Sequence, residues 1–203
     1  MQMSDDILKR LKKYHSLLLK WQPKINLISN NTMDEAWERH FEDSLQLLDI
    51  LPNEPKTIFD LGAGAGFPSL VLAITNQKYN VHLIESDQKK CSFLKTVSRE
   101  TNTEAQVVNE RIENVSCETI PDIITARALA SLDLLFDYCA KWIEKNPQIQ
   151  LIFMKGEQAE AEMQSLGTNW AFNCRTYQSK TNENAKILVF TDICQKQIKV
   201  NKK

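Results

Sequence analysis

The sequence predicts an α/β fold in which a mostly parallel sheet is covered by helices on both faces. A purely helical segment precedes it and an antiparallel hairpin closes it. Three observations carry that expectation. From residue 57 onward, short β-branched and apolar runs alternate with stretches of helical period. Residues 1–54 carry helical spacing and no strand signal. The last two strand runs are joined only by Lys180-Thr181-Asn182-Glu183-Asn184, a polar turn too short for a parallel crossover.

Residues 5–21 place Ile7, Leu8, Leu11, Tyr14, Leu18 and Trp21 at three- and four-residue steps, with Ser4 as N-cap and Pro23 ending or bending the helix. Asn30-Asn31-Thr32 reads as a turn, with Asn31 or Thr32 capping a second helix that carries Ala36, Trp37, His40, Phe41, Leu45, Leu47 and Leu48 and ends before Pro52. Strands are then expected at 57–61, 81–85, 105–109, 122–126, 150–154, 170–178 and 186–193, seven in all. Helices are expected at 68–74, 87–101, 132–144 and 158–166. The hairpin adds an antiparallel strand at the sheet edge or inserted near it. The chain is expected to form one domain (1–203), divided into a helical extension (1–54), the α/β core (55–194) and a basic tail (195–203).

Composition restricts the function classes. Hydrophobic residues make up 42% and charged residues 25%, as in an ordinary globular domain. No apolar run approaches a membrane span, and the N-terminus is polar from its start, so the expectation is a cytoplasmic protein without membrane contact. Cys91, Cys117, Cys139, Cys174 and Cys194 are scattered and form no C-x-x-C pair, so neither a metal site nor a disulfide framework is expected. Net charge is −1, but Lys9, Arg10, Lys12, Lys13, Lys20 and Lys24 cluster near one end and Lys196, Lys199, Lys202 and Lys203 near the other. Such a distribution suits either a phosphate-binding face or a solvated helix and tail.

The central motif is Asp60-Leu61-Gly62-Ala63-Gly64-Ala65-Gly66-Phe67-Pro68, which leaves a strand and enters a helix. Glycines there permit positive φ and close backbone approach to a ligand. In an open parallel sheet, nucleotide ligands bind beyond the carboxyl end of such a strand. The spacing is G-x-G-x-G, not the dinucleotide G-x-G-x-x-G. Glu85 ends the second strand, 23 positions after Gly62. Its carboxylate can accept from both hydroxyls of a ribose; the alternative is an ordinary exposed strand-end acid. The loop and Glu85 do not by themselves separate S-adenosylmethionine from NAD; the loop spacing, the position of the first strand, which begins near residue 57, and the terminal hairpin favour the methyl donor.

Several local patterns resemble the glucose-inhibited division protein B family, also called RsmG. They are Asn26-Leu27-Ile28-Ser29, the run Arg39-His40-Phe41-Glu42-Asp43-Ser44-Leu45, the glycine loop, Arg111-Ile112-Glu113, Ala126-Arg127-Ala128 and Lys155-Gly156. The resemblance extends from about Trp21 to Gly156. Gln22, where many relatives have Asn, and Ser69, where glycine is common, depart from it without touching the expected chemistry. The resemblance implies a Rossmann-like class I methyltransferase that uses S-adenosylmethionine to methylate N7 of a guanine in the decoding-region loop of 16S rRNA, acting on rRNA or the 30S subunit. It also implies contacts of Gly62, Gly64, Gly66, Phe67, Glu85, Ile112 and Glu113 with the cofactor. Arg127 is implied as part of the cofactor or active-site wall and is the catalytic candidate. Ile112 alternatively packs in the core, and Glu113 alternatively serves as a helix N-terminal acid.

The fourth strand ends Thr125-Ala126-Arg127-Ala128, without the D/N-P-P-Y/F/W acceptors used on exocyclic amines, and no Pro-Cys pair is present. Guanine N7 is an unprotonated acceptor in the base and needs no general base. Arg127 is expected to hold a phosphate, the cofactor carboxylate or O6, leaving N7 open. Arg39, His40 and Lys155 are each either RNA contacts or structural groups. A monomer without metal is favoured. The alternatives are a Rossmann-like methyltransferase with another acceptor, an NAD-type dehydrogenase and a non-catalytic rRNA assembly factor.

Overall fold

The computed structural model describes residues 3–196. Most of the expected basic tail, including Lys199, Lys202 and Lys203, lies outside the described residues, as do Met1 and Gln2. Helix α1 spans Asp5–Ile25, capped by the Ser4 hydroxyl, which accepts from the Ile7 N–H at 3.3 Å. It continues through Pro23 to a left-handed cap at Asn26, whose N–H reaches Gln22 O. A proline removes one N–H, and in the last turn that loss is borne without ending the helix.

The second expected helix is not a regular one. Asn30–Thr32 form a 3-10 turn instead of a cap, and Trp37–Glu42 wind as a π-helix before α2 (Asp43–Leu45) and a 3-10 turn at Gln46–Asp49. The π turn makes the Asp43 N–H bond to Glu38 O and His40 O, while Arg39 O accepts from Arg127 of the core. Single π turns are rare and occur often beside functional sites.

The core contains β1 (Lys56–Leu61), α3 (Ser69–Thr75), β2 (Tyr79–Ile84), α4 (Gln88–Glu100), β3 (Gln106–Val108), β4 (Ile123–Arg127), α5 (Leu132–Lys145), β5 (Gln150–Lys155), α6 (Ala159–Leu166), β6 (Trp170–Gln178) and β7 (Lys186–Gln195). One seven-stranded sheet results, ordered β3-β2-β1-β4-β5-β7-β6. The first five strands pair in parallel; β7 is inserted antiparallel between β5 and β6. The order reverses between β1 and β4, so the crevice beyond their carboxyl ends is the ligand position of an open α/β sheet.

Strand β1 shows why the sheet is buried on both faces. Ile58 joins the apolar cluster with α1, α3 and α4, whereas Phe59 and Leu61 join the cluster with α5 and α6. The extension closes over the first cluster. Tyr14 of α1 stacks on Phe67 with centroids 5.3 Å apart and meets Phe41 edge-on at 4.9 Å, and Phe41 meets Phe67 edge-on at 5.0 Å. The aromatic trio ties the extension to the glycine loop. None of the described helices is long and apolar enough to cross a membrane.

Candidate functional site

A cavity of about 530 Å³ opens beyond β1, β2 and β4, within the range of roughly 300–1,000 Å³ usual for small-molecule sites. Its floor is the glycine loop. Gly62 has φ +62, and a Cβ there would come within 2.5 Å of Leu129 Cδ1, so the loop after β4 lies directly on this glycine. The Gly64 N–H donates to Glu85 Oε2 at 2.9 Å. The Asp87 N–H donates to Glu85 Oε1 at 2.7 Å. Glu85 is therefore not an exposed strand-end acid. It is 8% exposed, held by two backbone donors, and retains acceptor capacity toward the cavity it lines.

Ile112 and Glu113 form the opposite wall, in a 3-10 turn at Ile112–Asn114. Ile112 is buried and contributes to the core as well as to the cavity. Glu113 is exposed. Lys141 of α5, which sequence reasoning passed over, donates to Ile112 O (2.8 Å), Glu113 O (3.2 Å) and Val115 O (2.8 Å) and thereby holds this wall in place. Its ammonium also lies 4.5 Å from the Trp142 ring.

Gly66 stands apart from the other expected cofactor residues, because it does not line the cavity. At φ +95, its Cβ would lie 2.7 Å from the Tyr14 hydroxyl and 3.0 Å from Leu70 and Leu94 atoms. Close packing against the extension explains this glycine. Tyr14 donates its hydroxyl proton to Ala65 O beside it. Gln22 and Ser69 also matter more than their sequence departures suggested. The Gln22 amide accepts from the Leu27 and Ile28 N–H groups and donates to Ile28 O, so it shapes the turn that brings Leu27, Ile28 and Ser29 to the cavity rim. The Ser69 hydroxyl meets Thr125 Oγ1 at 2.7 Å, and Thr125 donates to Asp60 Oδ1 at 2.9 Å. Asp60 is fully enclosed at the end of β1, with Oδ2 unpartnered among the described residues. Burial pushes its carboxyl up to about 7 against the lowering effect of these hydroxyls.

Arg127 and His40 meet at the cavity's inner end. Arg127 Nη2 donates to Arg39 O (2.8 Å) and to His40 Nδ1 (2.6 Å). His40 Nε2 lies 3.0 Å from Thr32 Oγ1, and the Thr32 hydroxyl donates to Ser29 O at 2.8 Å. An arginine can only donate, so Nδ1 accepts and the imidazole proton sits on Nε2, directed at Thr32. Burial, Arg127 and Arg39 together lower the His40 pKa to about 3. His40 is thus a buried, neutral base that lines the cavity and stacks on Phe67 at 5.1 Å. Arg127 Nη1 is 3.4 Å from Asp43 Oδ2 but makes no hydrogen bond, leaving buried donor capacity at the cavity end. Lys155 has protein partners: it donates to Ala130 O (2.7 Å) and pairs with Glu162 (2.8 Å), which also accepts from the Leu132 N–H (2.7 Å). The loop carrying Ala128 and Leu129 is anchored from both β5 and α6.

Among the described residues, no group of three or more His, Cys, Asp or Glu is arranged to hold a metal. The residues do fit an adenosine-bearing sulfonium: a glycine floor, a buried carboxylate at ribose position, and the Ile112 side chain at the wall. The profile of the GidB family, rRNA small subunit methyltransferase G, matches residues 7–188. The ribosomal RNA small subunit methyltransferase G of Rhodospirillum centenum is 38% identical, with 98% of this chain and 90% of that protein covered. That of Gluconobacter oxydans is 40% identical, with 90% and 92% covered. Among solved structures, magnesium protoporphyrin IX methyltransferase from Synechocystis with bound SAM superposes with a TM-score of 0.61 at 12% identity, covering 94% of this chain and 99% of that one. The ribosomal protein L11 methylase of Lactobacillus delbrueckii superposes at 0.57 and 15% identity, covering 78% and 79%. These two share the fold of Rossmann-like methyltransferases, and the chain belongs to the rRNA small subunit methyltransferase G family.

Proposed function

We propose that the protein transfers a methyl group from S-adenosylmethionine to N7 of a guanine in the decoding-region loop of 16S rRNA. The observation that carries this reading is the cavity itself, in which the glycine loop, the twice-bonded Glu85 and the Ile112 wall stand together at the sheet's switch point in a chain of this family. Gly62, Gly64, Phe67, Glu85, Ile112 and Glu113 hold the cofactor; Gly66 supports the loop from behind. When bound, the cofactor supplies an electrophilic methyl on sulfur. Guanine N7 carries its lone pair in the ring plane and has no proton to lose. The protein's task is alignment, which can contribute roughly 7–11 kcal/mol through proximity and orientation alone.

Arg127 is the active-site residue of this reading. Its Nη2 is committed to Arg39 O and His40 and its Nη1 faces Asp43, so the guanidinium is held rigidly at the cavity end, where it lies near guanine O6 or a phosphate without covering N7. The extension and core act as one unit, because Arg127 and its partners come from both. We further propose a cytoplasmic monomer that needs no metal.

The test is methyl transfer from labelled S-adenosylmethionine to 30S subunits and to naked 16S rRNA from cells lacking the protein, with the base identified by mass spectrometry. N7-methylguanine at one loop position is the expected result. Cofactor binding without label in either RNA refutes the rRNA assignment and leaves another acceptor.

A further inference from the structure

Another cavity, a groove of about 210 Å³, shares Arg127 and Ala128 with the cofactor cavity. Its volume falls below that of usual cofactor sites and suits a single planar base. Four cations border it: Arg39, Arg127, Lys155 and Lys186. Three are answered by carboxylates, Arg127 by Asp43, Lys155 by Glu162 and Lys186 by Glu160. The Arg39 guanidinium alone has neither an ion pair nor a hydrogen bond among the described residues. It is only partly exposed, carried on the π turn.

The far wall is the turn between β6 and β7. Hydrogen bonds dock it on the extension: Ser179 Oγ (3.0 Å) and Thr181 Oγ1 (2.8 Å) donate to Asp43 Oδ1, the Lys180 N–H (3.0 Å) donates to Gln46 Oε1, the Gln46 amide donates to Ser179 Oγ (3.3 Å), and Lys180 Nζ donates to Asp49 Oδ2 (2.6 Å). The groove is therefore built from both ends of the chain around the carboxylate that faces Arg127.

We propose that this groove receives the acceptor nucleotide, with Arg39 taking a flanking RNA phosphate while the base enters against Arg127 and Ala128. The inference rests on the rRNA reading above and adds where the nucleotide sits. An unstacked loop nucleotide is the form in which RNA bases are recognised singly, and an unpaired, half-buried guanidinium is a natural phosphate ligand. Methyl transfer where the two cavities meet, beside Arg127 and Ala128, balances without a base. The N7 lone pair forms the new N–C bond, the C–S bond breaks with its electron pair going to sulfur, and the positive charge passes from sulfur to the purine.

Arg39→Ala, Arg39→Lys and Ala185→Phe, the last placed to fill the groove, test this. Three readouts are needed: S-adenosylmethionine affinity by calorimetry, kcat and KM on undermethylated 30S subunits, and binding of cofactor-free protein to those subunits across a salt series. Arg39→Ala is expected to raise KM at least tenfold, keep cofactor affinity within twofold, and reduce the salt slope of binding by about 1. Arg39→Lys should regain part of the loss, since a point charge still meets a phosphate, and Ala185→Phe should lower transfer without lowering cofactor affinity. If the wild type methylates subunits and neither Arg39→Ala nor Ala185→Phe changes KM or subunit binding by twofold, the groove is not the acceptor site. If the wild type binds cofactor but methylates no RNA, the rRNA reading falls and takes this inference with it.

Discussion

Replacing His40 with glutamine removes a titrating group while keeping an acceptor for Arg127 Nη2. In the folded chain His40 stays neutral down to about pH 3, because it is buried and faces the Arg127 and Arg39 charges. In the unfolded chain it protonates near 6.5. Between those values the unfolded state binds one more proton, so His40 makes the fold lose stability as pH falls below 6.5. One pKa unit corresponds to about 1.4 kcal/mol, so the loss between pH 7 and pH 4 is of order 3 kcal/mol. That is a large share of a typical total of roughly 5–15 kcal/mol. Urea unfolding of wild type and His40→Gln at pH 7, 6, 5 and 4 measures it, and the difference between the two proteins cancels the carboxylates they share. The wild type should lose its advantage, or fall below the variant, by about 3 kcal/mol across that range. A difference that stays flat within about 0.5 kcal/mol would refute the buried neutral imidazole and the hydrogen-bond direction inferred from it.

Three further outcomes follow from the same geometry. Gly66→Ala combines a φ of +95 with a 2.7 Å approach to the Tyr14 hydroxyl, so it should destabilise by about 2–4 kcal/mol in urea titration; a loss under about 1 kcal/mol would mean that the extension yields easily. Glu85→Gln removes the charge from an acceptor already serving two N–H groups and should weaken S-adenosylmethionine binding about 10- to 100-fold by calorimetry, with unchanged affinity counting against the ribose role. Asp60, held up to about 7, keeps a proton that the unfolded chain releases near 3.8, so it lowers stability as pH rises from about 4 to 7; Asp60→Asn should flatten that part of the pH profile, and an unchanged slope would contradict it.

The core was readable because its strands are short apolar runs bounded by glycines or polar turns, and a period of two or a continuous β-branched run is a local signal. Glu85 and the glycine loop were readable for the same reason: both sit at strand ends, where the parallel sheet collects them. The extension was less so. A π turn at Trp37–Glu42 differs from an α-helix by one residue in each hydrogen bond, and apolar spacing does not resolve that step. His40 and Lys155 were left between two roles because their partners lie 87 and 25 positions away and are chosen by tertiary packing. Gln22 and Ser69 looked incidental as departures from a pattern, yet Gln22 is a buried donor and acceptor that shapes the cavity rim, and the buried Ser69 hydroxyl donates to Thr125, which holds Asp60. Gly66 is a motif residue packed against Tyr14, which the motif does not contain.

The placement of β7 between β5 and β6 sets an order of events during folding. The β5 backbone pairs with β4 on one side, but its other edge is covered only when residues 186–195 arrive. Until then the edge is an unpaired ladder beside Leu151 and Phe153, side chains that are fully buried in the finished molecule. Such an edge is a template for pairing with another chain. The outermost strand, β6, pairs in the sheet with β7 and not with β5, so it cannot shield that edge by itself. The hairpin therefore acts as a latch. A nascent chain stopped before residue 186 has all the residues of the cofactor cavity yet keeps an adhesive flank, and closing that flank joins the turn beside Arg39 to the extension in the same stroke.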